Sequence, residues 1–90
     1  MKYYDWSSEK NNLLKAVRGV FFEEVVTVLN EGHPLAILEH PNKKKYQNQR
    51  IFVVELSGYV YYVPFVVEDE KIFLKTIIPS RNATKKYLKH

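Results

Sequence analysis

Hydrophobic and polar positions alternate with two different periods along this chain, and the change of period divides it into a helical first part and a stranded second part. The stretch KYYDW (residues 2–6) reads as a short strand. In SSEKNNLLKAV (7–17) Ser7 or Ser8 supplies an N-cap, Glu9 an acidic first turn, and Leu13, Leu14 and Val17 recur at helical spacing. Gly19 breaks this helix. FFEEVVTVLNEG (21–32) then places Phe22, Val25, Val26 and Leu29 on one face of a second helix, closed by Gly32 and Pro34. From residue 35 the pattern is that of strands: LAILEH, then RIFVVEL and YVYYVPFVV on either side of the hairpin signal Ser57-Gly58, then KIFLKTIIP after the acidic turn EDE. Pro64, inside the third of these runs, predicts an edge position or a bulge. Ser80 caps a short basic C-terminal helix.

Helices first and consecutive strands afterwards give the α+β class. The expected architecture is N-terminal helices packed on one face of an antiparallel sheet of three to four strands, followed by a C-terminal helix. With 90 residues and neither repeats nor a low-complexity linker, the chain reads as a single domain, 1–90.

Composition narrows the chemistry. The sequence has no cysteine, which excludes a disulfide framework and thiolate metal or redox sites. His33 and His40 match no metal-ligand spacing, so neither a metal nor another cofactor is expected. No apolar run reaches the length of a membrane span, and the N-terminus lacks the layout of a signal peptide; a cytoplasmic location without membrane attachment is the default expectation. The formal net charge of +4 favours a polyanionic partner.

Three groups of residues stand out on this frame. Lys10 falls beside Leu13, Leu14 and Val17 on the apolar side of its helix, an unusual place for an ammonium. Either its stem covers core surface while its head reaches water, or it points into a cleft that Arg18, at the edge of the same stripe, also faces. The loop HPNKKKYQNQR carries Lys43, Lys44, Lys45 and Tyr46 next to His40: lysines to neutralise phosphates and an aromatic ring to stack on a base, or a solvated loop that keeps the protein in solution. Arg81 is the first residue after the cap Ser80, at the positive end of a helix dipole, where a cation is disfavoured. It is explained by an anionic ligand held jointly with free backbone N–H groups, or by pairing with an acid such as Glu55 or Glu70.

Taken together, WSSEK (Trp6, Lys10), RGVFFEE (Gly19, Val20, Phe22, Glu23, Glu24) and IIPSRNATKK (Ile77, Ile78, Arg81, Ala83, Thr84) occur in the order of the motifs of the BrnT toxins, which the chain resembles. Arg50 stands where that family opens a strand with arginine. The resemblance implies a RelE-like fold and a bacterial type II toxin-antitoxin system. In such a system the toxin is a metal-independent endoribonuclease that cleaves mRNA and inhibits translation. A cognate DNA-binding antitoxin, expected to be of the ribbon-helix-helix type, neutralises it in a higher-order complex.

The chain departs from the family pattern at Ser7 (aspartate in the family), Arg18 (histidine), Pro79-Ser80 (Ser-Ala) and Thr76 (arginine in many members). The chemistry needs the ribose 2′-OH to attack the adjacent phosphate while the dianionic transition state is stabilised. Arg81 and Arg50 are expected as catalytic phosphate ligands, with Lys10 and Arg18 as further cationic stabilisers. Lys43, Lys44, Lys45, Tyr46 and His40 are expected to bind substrate. Proton transfer is open among Lys10, Tyr61, Tyr62 and His40. Two readings from other classes stand beside this one: a non-catalytic nucleic-acid-binding module, and a toxin of the same fold that captures a protein target.

Overall fold

The computed structural model describes residues 2–46 and 48–88; Gln47 of the lysine loop and the last two residues of the basic tail lie outside the described residues. The chain runs β1 (Tyr3–Trp6), α1 (Ser8–Arg18), α2 (Phe22–Glu31), β2 (Ala36–Glu39), β3 (Gln49–Leu56), β4 (Tyr59–Glu68), β5 (Lys71–Leu74), β6 (Ile78–Pro79) and α3 (Arg81–Tyr87). The α+β class is as read from the sequence, but the sheet is larger and mixed. Five strands stand in the order β1-β5-β4-β3-β2, with β6 also on β4. The pairings β2–β3, β3–β4, β4–β5 and β4–β6 are antiparallel, whereas β1 lies parallel to β5. The expected three to four antiparallel strands are the run β2 to β5. The first strand joins them only through a pairing with residues almost seventy positions away, Tyr3 with Lys71 and Trp6 with Leu74. No local pattern encodes a pairing of that range.

The helix boundaries are set by named groups. Ser7 Oγ accepts the backbone N–H of Lys10 at the start of α1, and Gly19 ends it in the left-handed region (φ 69°). At the start of α2, Glu24 Oε1 accepts the N–H of Phe21. The next orphan donor, the N–H of Phe22, is taken at 2.8 Å by the side chain of Asn11 from α1. Ser57 (φ 53°) and Gly58 (φ 82°) give the β3–β4 hairpin its two left-handed residues, as the dipeptide predicted.

Alternation along β3 and β4 sends side chains to two cores. One face carries Phe52, Val54, Leu56, Val63 and Phe65, which with Leu74 and Ile77 meet Leu14, Val20, Phe22 and Val25 of the two N-terminal helices. Phe52 and Phe65 stack at 3.9 Å between centroids, and Trp6 stacks on Phe22 at 5.8 Å. The opposite face carries Val53 and Val60, covered by Ala83, Tyr87 and Leu88 of the α3 segment. The sheet is thus clad on both sides, not on one.

Two expectations about packing change. Pro64 belongs to the central strand β4, opposite Ile51 of β3. Its carbonyl accepts the N–H of Lys75 at 2.8 Å, so the donor it lacks would point to the same side, between the end of β5 and the start of β6. Proline is tolerated because that side is locally an edge. In α1 the inward residues are Asn11 and Leu14, while Leu13 and Val17 are 55% and 69% exposed. The seating of Asn11 on the start of α2 turns the predicted stripe outward on one side. Lys10 therefore flanks two exposed apolar residues and is itself half-buried.

Candidate nucleic-acid interface

The C-terminal segment is fixed to the sheet by a small hydroxyl network. Ser80 N–H donates to Val60 O at 3.0 Å, and Ser80 Oγ accepts the N–H of Ala83 at 3.1 Å, which makes it the cap of α3. Thr84 Oγ1 donates to Ser80 O at 2.7 Å and accepts the N–H of Val60 at 2.9 Å, tying the first turn of α3 to β4. These bonds hold Arg81 at the surface. Its side chain is exposed, and among the described residues neither Glu55 nor any other acid pairs with it.

Arg18 reaches the same segment from the end of α1: its Nη1 donates to the carbonyl of Ile77 at 2.7 Å, across 59 positions of sequence. The segments RGVFFEE and IIPSRNATKK thereby meet in space, and the Trp6–Phe22 stack brings WSSEK to them. Lys10 does not join Arg18 closely. Eight positions along one helix separate them, about 12 Å at the α-helical rise. Lys10 lies instead in an open concavity of about 620 Å³ with Ser7, Glu9, Asn12 and Leu13.

Arg50 is farther still. It stands opposite Phe65 on β4, whereas the Ser80–Arg81 junction is held at Val60; five strand positions correspond to about 17 Å. Of the four expected catalytic cations, the fold brings Arg18 and Arg81 to one segment, places Lys10 along α1, and puts Arg50 at the other end of the sheet.

That other end holds the lysine loop, which is built rather than loose. The side chain of Asn42 accepts the N–H of Lys45 at 3.2 Å, and its carbonyl accepts the N–H of Tyr46 at 3.0 Å, closing one helical turn over the three lysines. Lys43 is ion-paired with Glu39, four residues back. Tyr46 stacks against His40 at 4.2 Å, and Lys45 Nζ lies 5.5 Å from the centre of the tyrosine ring. His40 Nδ1 accepts the backbone N–H of Asn42 at 3.0 Å. A backbone N–H can only donate, so in the neutral ring the proton sits on Nε2. This bond leaves the Nε2–H of His40 as a donor.

Three shallow concavities of about 180, 280 and 340 Å³ adjoin here, sharing Tyr46, Asn48, Gln49 and Arg50 between them. Their rims carry Lys2, Lys43, Lys44, Lys45 and Arg50 against the single acid Glu39. A concavity of about 400 Å³ between α2 and the β3–β4 hairpin has the opposite sign, with Glu23, Glu24 and Glu55 on its walls.

Two residues that the sequence did not single out organise these regions. Asn11 is buried, donates from Nδ2 to Glu23 Oε1 at 2.8 Å and caps α2; its hydrogen bond is the main reason that the Glu23 carboxyl is held below the ordinary value of 4.5. Only its place between Lys10 and Leu14 marked it, and a polar residue there reads as surface. Glu39 likewise titrates below 4.5, chiefly through its hydrogen bond to Lys43 and then through the charges of Lys43 and Arg50. The signal for it was the i, i+4 spacing of Glu39 and Lys43. Burial raises the Tyr4 phenol above 10.0. Of the expected proton carriers, Tyr61 packs against the main core, edge-on to Tyr59 at 5.6 Å, and Tyr62 against the α3 face.

Comparison of the chain with protein-family models, with curated proteins and with solved structures returns no match. Among the described residues, no helix is long and apolar enough to cross a membrane.

Proposed function

We propose that this chain is the toxin of a type II toxin-antitoxin system, of RelE-like fold. It acts as a metal-independent endoribonuclease on mRNA and is neutralised in a higher-order complex by a cognate ribbon-helix-helix antitoxin. The observation that carries this reading is the contact of Arg18 with Ile77: it joins two of the three motif segments on which the resemblance to the BrnT toxins rests. Four residues further along the segment that Arg18 holds, Arg81 is exposed and, among the described residues, pairs with no acid, as a ligand for a phosphate must be. Arg18 keeps a cation where the family has histidine. Since one of its nitrogens is spent on a carbonyl, its first task is to hold the C-terminal segment in place.

The dispersal of Lys10 and Arg50 away from Arg81 supports a second reading, a nucleic-acid-binding module that does not cut. Induced expression in a bacterial host separates the two. The toxin reading requires growth arrest that is relieved by co-expressing the product of the adjacent gene, because an acidic partner segment blocks a basic surface readily. Normal growth at verified soluble expression overturns it.

A further inference from the structure

The cleft at the ends of β2 and β3 combines features that a solvated loop does not need. Glu39 and Arg50 are direct cross-strand partners, so their side chains leave the same face of the sheet side by side. Lys43 closes on the same carboxylate from the loop. His40, steadied by its stack on Tyr46 and by Asn42, keeps its Nε2–H as a donor. Glu39, His40, Lys43, Tyr46 and Arg50 line the one concavity of about 180 Å³. Its chemistry is that of an anion receptor, three kinds of N–H donor around a small space, and the anion beside them is the protein's own carboxylate.

We propose that this cleft receives a backbone phosphate of single-stranded RNA on Arg50, Lys43 and the His40 Nε2–H, and that Glu39 is an internal competitor displaced when the strand binds. That the strand is RNA rests on the ribonuclease reading; the receptor itself does not. A chain, not a free phosphate, is the fitting ligand because the two adjoining concavities continue from Arg50 and Tyr46 to Lys44, Lys45 and Asn48. A single phosphate would leave those cations unused. The Glu39–Lys43 pair is well exposed, at 62% and 70% of the side chains, so it is screened and cheap to open.

The test is fluorescence anisotropy with a labelled oligouridylate of about a dozen nucleotides, a length that spans the groove of a typical single-strand binder. Glu39→Gln removes the competitor and should tighten binding about fivefold at low salt, the reverse of the loss expected if Glu39 merely orders the loop. Arg50→Gln should weaken it about tenfold or more, with Arg50→Lys between the parent and Arg50→Gln, because a lysine keeps the charge but not the forked contact. Lys15→Ala, on α1, should bind as the parent does.

Thermal melts identify any variant that fails to fold; should Arg50→Gln be one, Arg50→Lys and Glu39→Gln carry the test. Binding by Glu39→Gln that is equal to or weaker than the parent's overturns the competitor. Parent-like binding by both Arg50 variants overturns the receptor. Full displacement of the strand by inorganic phosphate at an equal concentration of phosphate groups overturns the choice of a chain as ligand. The same mixtures run on a denaturing gel read cleavage. The expected binding pattern with an intact oligonucleotide keeps the receptor and removes the ribonuclease reading, whereas cleavage with binding insensitive to Glu39 and Arg50 does the opposite.

Discussion

Where β4 begins, Arg18 is tied to a backbone carbonyl of the segment that leads into α3, while Arg81 at the start of that helix pairs with no acid among the described residues; at the far end of the same strand, Arg50 faces a carboxylate across the sheet. The same residue type is used structurally, left free, and held in reserve within one small domain. The three cases differ in what each guanidinium has beside it. An arginine whose donors meet a carbonyl contributes to folding. One with no partner contributes nothing to folding that its removal would cost. One opposite an acid is partly neutralised until a stronger anion replaces that acid.

The largest effect that tests this contrast is on catalysis. Under the ribonuclease reading Arg81→Ala should lower the cleavage rate by about a hundredfold or more, the usual loss when a charged group aimed at a developing phosphorane is removed. Its melting temperature should stay at the parent's, because the side chain is exposed and pairs with no acid among the described residues. Arg81→Lys should recover part of the rate. A melt far below the parent's, with normal cleavage by the folded fraction, would make Arg81 a structural residue and move the chemistry elsewhere.

The second effect is on stability and belongs to the residues that are tied. Asn11→Ala strips the N–H of Phe22 of its acceptor in a buried position and should cost about 1–3 kcal/mol, the penalty for a buried donor left unpaired. Arg18→Ala should cost about 1 kcal/mol, since the side chain is exposed and water replaces part of what the Ile77 carbonyl loses. Urea titrations of the two variants should therefore rank Asn11 above Arg18, and both above Arg81. Reversal of the first pair would mean that α1 is held by its C-terminal end rather than by Asn11.

What the sequence made legible follows the same division. Caps, turns and helix stops are local, so Ser7, Gly19, the Ser57-Gly58 hairpin and Ser80 were readable and stand where they were expected. The class followed from the order of periodic segments. The parallel pairing of β1 with β5 was not readable, since it depends on contacts between the two ends of the chain. The inward face of α1 was misread for a similar reason: propensity and period gave Leu13 and Val17 as core, but a polar residue, Asn11, docks on α2 and sets the rotation. For the interface, the sequence named Arg50, His40 and the three lysines individually. It did not show that Arg50, which closes the loop in sequence, lies away from Arg81, which is a matter of register along β4.

The smallest effect, and the one that sharpens the comparison most, concerns the two carboxylates held below their ordinary value of 4.5 at opposite ends of the molecule. Glu23 is lowered first by a hydrogen bond from the neutral amide of Asn11, and Glu39 first by Lys43 and then by the charges around it. A depressed carboxylate contributes stability that is present above its unfolded value and is lost as pH falls through the folded value, so both groups weaken the fold on the acid side. Both are solvent-exposed, and the loss is small. Salt tells them apart. Ions screen charge–charge attraction over about 10 Å at 0.1 M and about 3 Å at 1 M, whereas a short bond from a neutral amide is little affected. In a carbon-detected NMR titration, raising salt from 0.1 to about 1 M should move the Glu39 midpoint back toward 4.5 and leave that of Glu23 nearly in place. In Asn11→Ala the Glu23 midpoint should rise at either salt concentration. Equal salt sensitivity of the two would show that the charges of Lys43 and Arg50 add nothing measurable to the hydrogen bond from Lys43 in holding Glu39 down, and such a carboxylate would be a poor competitor for an incoming phosphate.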